Sequence, residues 1–417
     1  MTAFRFLHAA DLHLDSPLRG LARDPDAPVE RIRRATRDAL VNMVDLALQE
    51  RVAFVLLAGD LYDGEWRDWG TGQFLVGQLA RLTGAGIRVV AISGNHDAAS
   101  QITRHLRWPV GAVMLPVERP TTVEWDDLGV AIHGQGFHRR DVAENLAIGY
   151  PAPLPGRLNI GLLHTAAGRG GHENYAPCTV EQLAAHGYAY WALGHVHARE
   201  VIAERPWIVF PGNLQGRDLN EAGAKGASLV TVRDGAIAGL EHRALDVVRW
   251  ARVEVDLAGA ADEEAALTLL RPALEMALGA AQGRLLALRL VLFGSCAAHG
   301  ALSADPAALR EKLRGEALAT AAGQEVWLED VRLATSAPAA ARVRDDAVGT
   351  LLRAIDAAAA PDLLAPLQAY AEKMLSHGAL RRRLPAGHPA LLLAAGELPP
   401  ELLDRARALV LARLGEG

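Results

Sequence analysis

The stretch ALGHVH, residues 192–197, decides the fold assignment because it places two imidazoles directly after a run of apolar and aromatic residues. Residues 188–193 have the length and composition of a buried strand, and Gly194 allows the chain to turn out of it. A single histidine at a strand end is commonly a hydrogen-bonded core residue. The pair His195 and His197 indicates a ligand site only if other strand ends supply similar side chains.

Four other segments have the same design, in which an apolar run ends in polar residues of the metal-ligand type. They are ADLH (Asp11, His13), GDLYD (Asp60, Asp63), GNHD (Asn95, His96, Asp97) and LLH (His164). Ligands bind beyond the carboxyl ends of strands in open α/β sheets, so all these strand ends can deliver side chains to one place. Residues two apart on an extended segment point to the same side, about 6–7 Å apart. We therefore expect Asp11 and His13 to face one site, and likewise His195 and His197.

The chemistry of these side chains predicts a metal centre. Imidazole combined with carboxylate suits Zn, Fe and Mn, whereas a set made only of oxygen ligands would suit Mg or Ca. There are too many candidate ligands for one tetrahedral site. A pair of divalent metals about 3.5–4 Å apart, bridged by one carboxylate, would use them.

The order of apolar and amphipathic segments predicts an α/β protein of several domains. In residues 1–245, short apolar runs bounded by Gly, Pro or Asp indicate buried strands, and residues 29–50 and 70–83 have helical periodicity, which together favour a layered α/β domain with two facing sheets. Residues 250–335 have the order strand, helix, strand, helix, strand, which indicates a small separate α/β domain. After the break SAPAAAR, residues 343–417 are rich in Leu, Ala and Arg at helical spacing, and we predict a helical C-terminal region.

Composition limits the class of protein. No apolar run approaches transmembrane length, no signal peptide is evident, and Cys178 and Cys296 are too few for a disulfide framework, so we expect a cytoplasmic protein in a reducing compartment that does not associate with membranes. The net charge of −6 argues against an autonomous, strongly basic nucleic-acid binder, whose affinity would come from counterion release. It leaves open a nuclease that borrows basic surface from a partner.

The series D-x-H, G-D-x-x-D, G-N-H-D, H and G-H-x-H resembles the calcineurin-like metallophosphoesterases. The resemblance implies a two-layer β-sandwich flanked by helices, with a dinuclear metal centre. One metal would be held by Asp11, His13, Asp60 and His197, and the other by Asp60, Asn95, His164 and His195, with Asp60 as the bridge. It also implies that His96 lies outside the metal shell, contacts the scissile phosphate and assists the leaving group. Asp97 would orient His96 or cap a loop, and Asp63 would support the site from behind the ligands.

Two longer stretches narrow the resemblance. FRFLHAADLHLDSPLRGL at the start and FPGNLQGRDLNEAGAKG after residue 209 resemble the bacterial DNA repair exonucleases typified by YhaO, a group related to the SbcD nuclease subunit. Many members have histidine where this chain has Asp218, so the roles of Arg217 and Asp218 stay open. For residues 250–335 the resemblance implies a capping domain, and for residues 343–417 helices that dock on a coiled-coil ATPase of the SMC type.

The resulting prediction is a metal-dependent phosphodiesterase that acts on DNA as a 3′→5′ exonuclease, with endonuclease action as a further option. Mn is the favoured metal, with Fe, Zn and Mg as alternatives. DNA, the SMC-like ATPase and a second copy of the chain are the expected partners, in the cytoplasm at the nucleoid. Two other functions stay open, namely hydrolysis of a small phosphodiester, nucleotide or phosphoprotein, and a non-catalytic assembly role.

Overall fold

The fold comes from a computed structural model, which describes residues 3–17, 24–63, 69–99, 106–169, 175–338, 361–375 and 388–398. The strands are β1 Ala3–Ala9, β2 Phe54–Ala58, β3 Arg88–Ile92, β4 Ala112–Met114, β5 Thr121–Trp125, β6 Val130–Gly134, β7 Leu158–His164, β8 Tyr190–Gly194, β9 Glu200–Glu204, β10 Trp207–Phe210, β11 Gly226–Arg233, β12 Ala236–Ala244, β13 Val248–Asp256, β14 Leu285–Ser295 and β15 Val326–Ser336. The helices are α1 Val29–Gln49, α2 Trp69–Gly84, α3 Val180–Ala185, α4 Glu263–Ala281, α5 His299–Ala304, α6 Pro306–Ala321, α7 Pro361–Leu375 and α8 Pro389–Ala394.

The chain divides into two compact units, and the first, Met1–Ala251 with Arg284–Ala287, contains two six-stranded sheets. The strand order is β12-β11-β1-β2-β3-β4 in one sheet and β5-β6-β7-β8-β10-β9 in the other. In the first sheet β1 to β4 run parallel, and in the second β6, β7, β8 and β10 run parallel. Antiparallel strands form three of the four edges, β12 in the first sheet and β5 and β9 in the second, whereas the fourth edge is the parallel strand β4. Each sheet therefore has several parallel carboxyl ends at one edge, where ligand sites form.

The two sheets face each other across an apolar core. Side chains from alternate positions of both sheets fill it, among them Phe6, Phe54, Ile92, Ile160 and Tyr190, all fully buried. Phe6 stacks on Phe54 within one sheet and meets the edge of the Tyr190 ring from the other. This packing is the two-layer β-sandwich that the sequence predicted.

Helices cover the outer faces of the sandwich. The residues of β1 to β3 that point away from the second sheet pack against Leu40 and Met43 of α1 and against Leu75 and Leu79 of α2. The outer face of the second sheet carries a smaller cluster that includes Leu183 of α3. Both faces of each central strand are therefore buried, which is why the strands appear in the sequence as nearly continuous apolar runs.

The second unit, Arg252–Gly283 with Leu288–Gly417, contains a three-stranded sheet in the order β13-β14-β15. Leu270 and Leu274 of α4 and Leu309 and Leu313 of α6 are buried. The strand and helix order predicted for residues 250–335 is the observed one, with the short helix α5 added. In residues 343–417 the structure describes only α7, α8 and the residues beside them, and the rest of the predicted helical region lies outside the described residues.

The α/β class and the two-sheet sandwich are confirmed. The short apolar runs within residues 1–245 correspond to the strands β1, β2, β3, β6, β7, β8 and β10, whereas β4, β5, β9, β11 and β12 were not predicted individually. Most of these are edge strands with partly exposed residues, so they lack the apolar run. The boundaries 1–245, 250–335 and 343–417 stay predictions. Of the described helices, none combines the length and the apolar character required to span a bilayer.

Candidate metal centre

The predicted ligands gather where the parallel strands of both sheets end. Asp11 follows β1 by two residues, Asp60 follows β2 by two, Asn95 follows β3 by three, His164 ends β7, and His195 follows β8 directly. Backbone hydrogen bonds tie the loops together, because the Asp11 amide donates to Gly59 O and the His13 amide donates to Asp60 O, each over 3.0 Å. The facing sheets thus bring side chains as far apart in sequence as Asp11 and His197, 186 positions, to one place.

The loops are not extended, so the extended geometry from which the facing of Asp11 and His13 was expected is absent, although both residues belong to one group of potential ligands. Asp11, His13 and Asp60 have φ of 51°, 42° and 51°, and His195 has φ of 103°. The rule that residues two apart point to the same side therefore does not apply to either pair. Left-handed backbone at such residues costs on the order of 1–3 kcal/mol each, and such strain is concentrated at functional sites, where the surrounding structure holds it.

Two glycines permit the close approach of these loops. Gly59 has φ of +90°, and a Cβ atom there would lie 2.5 Å from His164 Nδ1. A Cβ atom on Gly94 would overlap the Asp60 carboxylate. The glycine of G-D-x-x-D and that of G-N-H-D are thus required by space beside the site.

One group of potential ligands consists of Asp11, His13 and His197, whose ligand atoms lie within 4.8 Å of one another. The Nε2 atoms of His13 and His197 face each other over 3.1 Å. His197 Nδ1 donates to Glu221 Oε1 over 2.7 Å, so the lone pair of its Nε2 points into the group. Among the residues that the structure describes, none is a hydrogen-bond partner of the buried His13 Nδ1. A cation would satisfy the converging lone pairs, so these donors fit a metal ion.

The second group consists of Asp11, Asp60 and His164, again within 4.8 Å of one another. His164 Nδ1 donates to Ala58 O over 2.9 Å, which fixes the ring so that Nε2 faces inward. That Nε2 lies 3.0 Å from Asn95 Oδ1 and 3.5 Å from Asp60 Oδ2. Asp60 Oδ2 also lies 3.8 Å from His13 Nε2. Asp60 thus approaches a histidine of each group, and Asp11 belongs to both groups, so two divalent cations fit the donor set.

His195 lies at the same edge of the sheets, but its contacts differ from those of the two ligand groups. Its backbone amide donates to both oxygens of Asp11 over 3.1 Å, and its ring centroid lies 5.3 Å from that of His164. Among the described side chains, none of the three possible metal-binding groups includes it. Its assignment as a ligand, and the division of labour between His195 and His197, stay predictions.

The carboxylate that reaches His96 belongs to Asp63. Asp63 Oδ1 lies 2.7 Å from His96 Nδ1. Asp97 instead accepts hydrogen bonds from the amides of Leu61, Tyr62 and Gly94 over 3.0–3.1 Å. Asp97 thus contacts the loops after β2 and β3, and the carboxylate hydrogen-bonded to His96 is that of Asp63, while the functional roles of both residues stay predictions. The His96 ring packs edge-on against that of His13, and His96 forms a third possible ligand group with His13 and Asp60.

Sequence reasoning missed Glu221, which lies behind His197. Besides the hydrogen bond from His197, Glu221 accepts one from Arg217 Nη2 over 2.6 Å and one from the Arg217 backbone amide over 2.8 Å. Asp218, whose role the sequence left open, accepts from the Asn220 amide over 2.8 Å and caps the short 3-10 helix Leu219–Glu221. The acid four residues after Arg217 was the available signal, but its relation to His197 depends on tertiary structure.

Burial and neighbouring charges set the protonation of the site. Burial, with Arg217 adding to it, holds the pKa of His13 well below its ordinary value and so keeps the ring neutral as a ligand must be. Burial opposes ionisation of Asp60, yet the close His164 ring brings the pKa of Asp60 far below its usual range. The hydrogen bond to Asp63 raises the pKa of His96. His96 therefore retains a proton more readily than a free histidine does.

Comparison with known proteins identifies two regions. Residues 4–199 match the family of calcineurin-like phosphoesterases, and residues 250–336 match the middle domain of the metallophosphoesterase YhaO. The chain is 39% identical over 263 residues to an uncharacterized metallophosphoesterase, YhaO, of Bacillus subtilis, a match covering 62% of this chain and 64% of that protein.

Two weaker relatives have names that concern DNA or a nuclease. A DNA double-strand break repair protein Mre11 of Methanopyrus kandleri is 24% identical over 211 residues, which cover 46% of this chain and 44% of that protein. One subunit of the nuclease SbcCD of Rhodobacter capsulatus is 31% identical over 100 residues, which cover 24% of this chain and 22% of that protein. The matches thus span less than two thirds of the length of these relatives. The predicted resemblance is confirmed: residues 4–199 form a calcineurin-like metallophosphoesterase domain, and residues 250–336 form a YhaO-type middle domain.

Proposed function

We propose that this chain hydrolyses phosphodiester bonds with two divalent metals held at the strand ends of the sandwich. One observation carries the proposal: the buried carboxylate of Asp60 lies 3.5 Å from His164 Nε2 in its own group and 3.8 Å from His13 Nε2 in the other. A single carboxylate placed between two imidazole-bearing groups suits a bridged pair of cations. Mn is the favoured metal. When bound, the metals would lower the pKa of a water molecule and neutralise the phosphate oxygens.

The protein's own groups would handle the leaving group. The side chain of His96 is partly exposed, at 26%, so a substrate phosphate can reach it. Asp63 holds its Nδ1 and thereby leaves Nε2 to face the substrate, and the raised pKa favours a proton there. A histidine that carries its proton near neutral pH can donate it to a departing oxygen. We assign His96 as the general acid of the reaction.

We further propose DNA as the substrate and 3′→5′ exonuclease action as the reaction. The names of the Mre11 and SbcCD relatives support this, as does the order of a phosphoesterase domain followed by a YhaO-type middle domain. The net charge of −6 offers little non-specific attraction for a polyanion, so an SMC-like ATPase would supply basic surface. Tight, salt-sensitive binding of duplex DNA by the isolated chain would argue against that role for the ATPase.

A paired assay tests the proposal. Wild type and His96→Ala would be given a chromogenic phosphodiester and an end-labelled DNA duplex in the presence of Mn²⁺. We expect wild type to hydrolyse both and His96→Ala to lose about 10²–10⁴-fold in rate, the usual contribution of a general acid. Activity on the small diester alone, even with the ATPase supplied, would favour a small-molecule substrate. No hydrolysis of either, together with no metal binding, would indicate an assembly role.

A further inference from the structure

One chain of contacts links the two functional sides of the metal centre. On one side Asp63 holds His96 Nδ1 over 2.7 Å, and on the other Glu221 holds His197 Nδ1 over 2.7 Å. Arg217 lies between the two carboxylates. Its Nη2 donates to Glu221 Oε1 over 2.6 Å, and its Nη1 lies 3.5 Å from Asp63 Oδ2. A single guanidinium thus connects the group that holds His96 with the group that holds His197.

The positive charge of Arg217 lies between two carboxylates, so it acts on both of them at once. Asp63 and Glu221 each place a carboxylate oxygen 2.7 Å from a histidine Nδ1 and within 3.5 Å of the Arg217 guanidinium. Two largely buried carboxylates that share one guanidinium would repel each other as anions without it, because burial reduces screening by solvent. Arg217 is itself mostly buried and is the cation common to both. Its removal would therefore take away the positive charge that the two carboxylates share, while Glu221 keeps its contacts with His197 and Asn213 and Asp63 keeps those with His96 and Ser16.

The shape of the side chain matters as well as its charge. A planar guanidinium can donate to two carboxylates in fixed directions, whereas an ammonium is a point charge that serves one direction well. The Arg217 backbone amide also donates to Glu221 Oε2 over 2.8 Å, so the residue is fixed at both ends. This geometry is what a rigid connection between two sites requires.

We propose that Arg217 is a positioning residue that couples the His96 side of the centre to the His197 side through Asp63 and Glu221. Besides these two carboxylates, its Nη2 lies 3.2 Å from His197 Nδ1. Its function is to fix the orientation of the His96 and His197 rings relative to each other, so that the proton donor and the metal ligand are oriented together. The inference rests on the proposed function only for the role of His96 as proton donor. The effect of Arg217 on metal affinity does not depend on which reaction the protein catalyses.

The first test is calorimetric titration of the full chain with Mn²⁺. Outer contacts of metal ligands are worth about 10–100-fold in metal affinity, so we expect Arg217→Met to weaken binding by about tenfold. Arg88→Met is the matched control, because Arg88 forms a two-pronged pair with Asp127 at the opposite end of β3. Its Mn²⁺ affinity should equal that of wild type. Equal affinities for wild type and Arg217→Met would overturn the inference.

The second test measures the coupling directly. Mn²⁺ affinity is compared in wild type, Asp63→Asn, Glu221→Gln and the double variant, and then in the same set with Arg217→Met. With Arg217 present, the combined effect should depart from the product of the single effects by at least about threefold. Without Arg217 the effects should multiply. Coupling that persists in the Arg217→Met set would show that the link runs elsewhere.

The third test separates positioning from general destabilisation. If Arg217→Met misorients His96, the rate with a diester that has a poor alkoxide leaving group should fall at least threefold more than with a nitrophenolate leaving group, which needs no protonation. An equal loss on both would overturn the assignment. If Arg217→Met does not fold, Arg217→Lys takes its place, since it keeps the positive charge. We expect Arg217→Lys to have part of the wild-type Mn²⁺ affinity but not the coupling between Asp63 and Glu221. If wild type hydrolyses neither diester, the proposed function fails while the Mn²⁺ measurements still decide the inference.

Discussion

His8 gives the structure a measurable pH dependence. It lies on β1, fully buried, with Nδ1 3.0 Å from the Tyr190 hydroxyl and Nε2 3.1 Å from Leu193 O. Burial lowers the pKa of His8 from 6.5 to about 3, although the contact with Leu193 O opposes this. In the unfolded chain the ring takes up a proton near pH 6.5, whereas in the folded chain it does not. The contribution of His8 to the free energy of unfolding is therefore present above pH 6.5 and is lost as the pH falls towards 3.

The size of the effect follows from those two pKa values. Linkage gives a loss of about 2 kcal/mol in the free energy of unfolding between pH 7.5 and pH 5.0, since each unit of pKa difference is worth about 1.4 kcal/mol. The assay is urea denaturation of wild type and His8→Gln at both pH values, with a chelator present so that metal binding does not contribute. The other titrating groups are common to both proteins, so the difference between the two curves isolates His8.

Tyr190→Phe is the matched control. It removes the hydroxyl that contacts His8 Nδ1 but leaves the ring buried, so it should lower stability at both pH values and keep the pH dependence. His8→Gln should lose about 2 kcal/mol of that dependence. If the curves of wild type and His8→Gln run parallel, His8 protonates freely in the folded state, and the assignment of a buried neutral ring is wrong.

Three further predictions concern the metal centre. Mn²⁺ at a hundred times its dissociation constant should stabilise wild type by about 2.7 kcal/mol, and Asp60→Ala should abolish this shift in a thermal melt. Gly94→Ala should displace Asp60, because the new Cβ would overlap its carboxylate, and about 10²-fold of kcat should be lost in the diester assay. Asp97→Ala should cost about 1–3 kcal/mol for each backbone amide it leaves unpaired, which urea denaturation at pH 7.5 would detect. Unchanged stability in that variant would mean that the amides of Leu61, Tyr62 and Gly94 find other partners.

The sequence predicted those parts of the fold that depend on burial of both faces of a strand. β2 and β7 are apolar throughout or nearly so and buried at every position, so their runs were visible. β9 and β12 are edge strands with partly exposed residues, and a run of apolar residues does not mark them. His8 illustrates the same limit within a strand. Its place in an apolar run was visible, but its contacts with Tyr190 and Leu193 depend on how the two sheets pack.

For the site, the sequence supplied the residues and not the directions of their side chains. The motifs named Asp11 and His13, yet the left-handed backbone at both residues was not visible in the spacing. The choice between Asp63 and Asp97 as the partner of His96 also depended on the turn that follows β3. Glu221 was missed because an acid becomes an outer contact of His197 only through a loop that begins after β10.

The contacts among these loops indicate that the ligands are oriented before any cation binds. Asp60 uses Oδ1 to accept the His96 amide over 2.9 Å, while its Oδ2 faces the His164 and His13 rings. Asp11 likewise accepts the His195 amide. Each carboxylate thus fixes the loop that carries another functional residue. Because these hydrogen bonds join protein atoms only, metal binding requires little additional ordering of the chain, and that ordering is already part of folding.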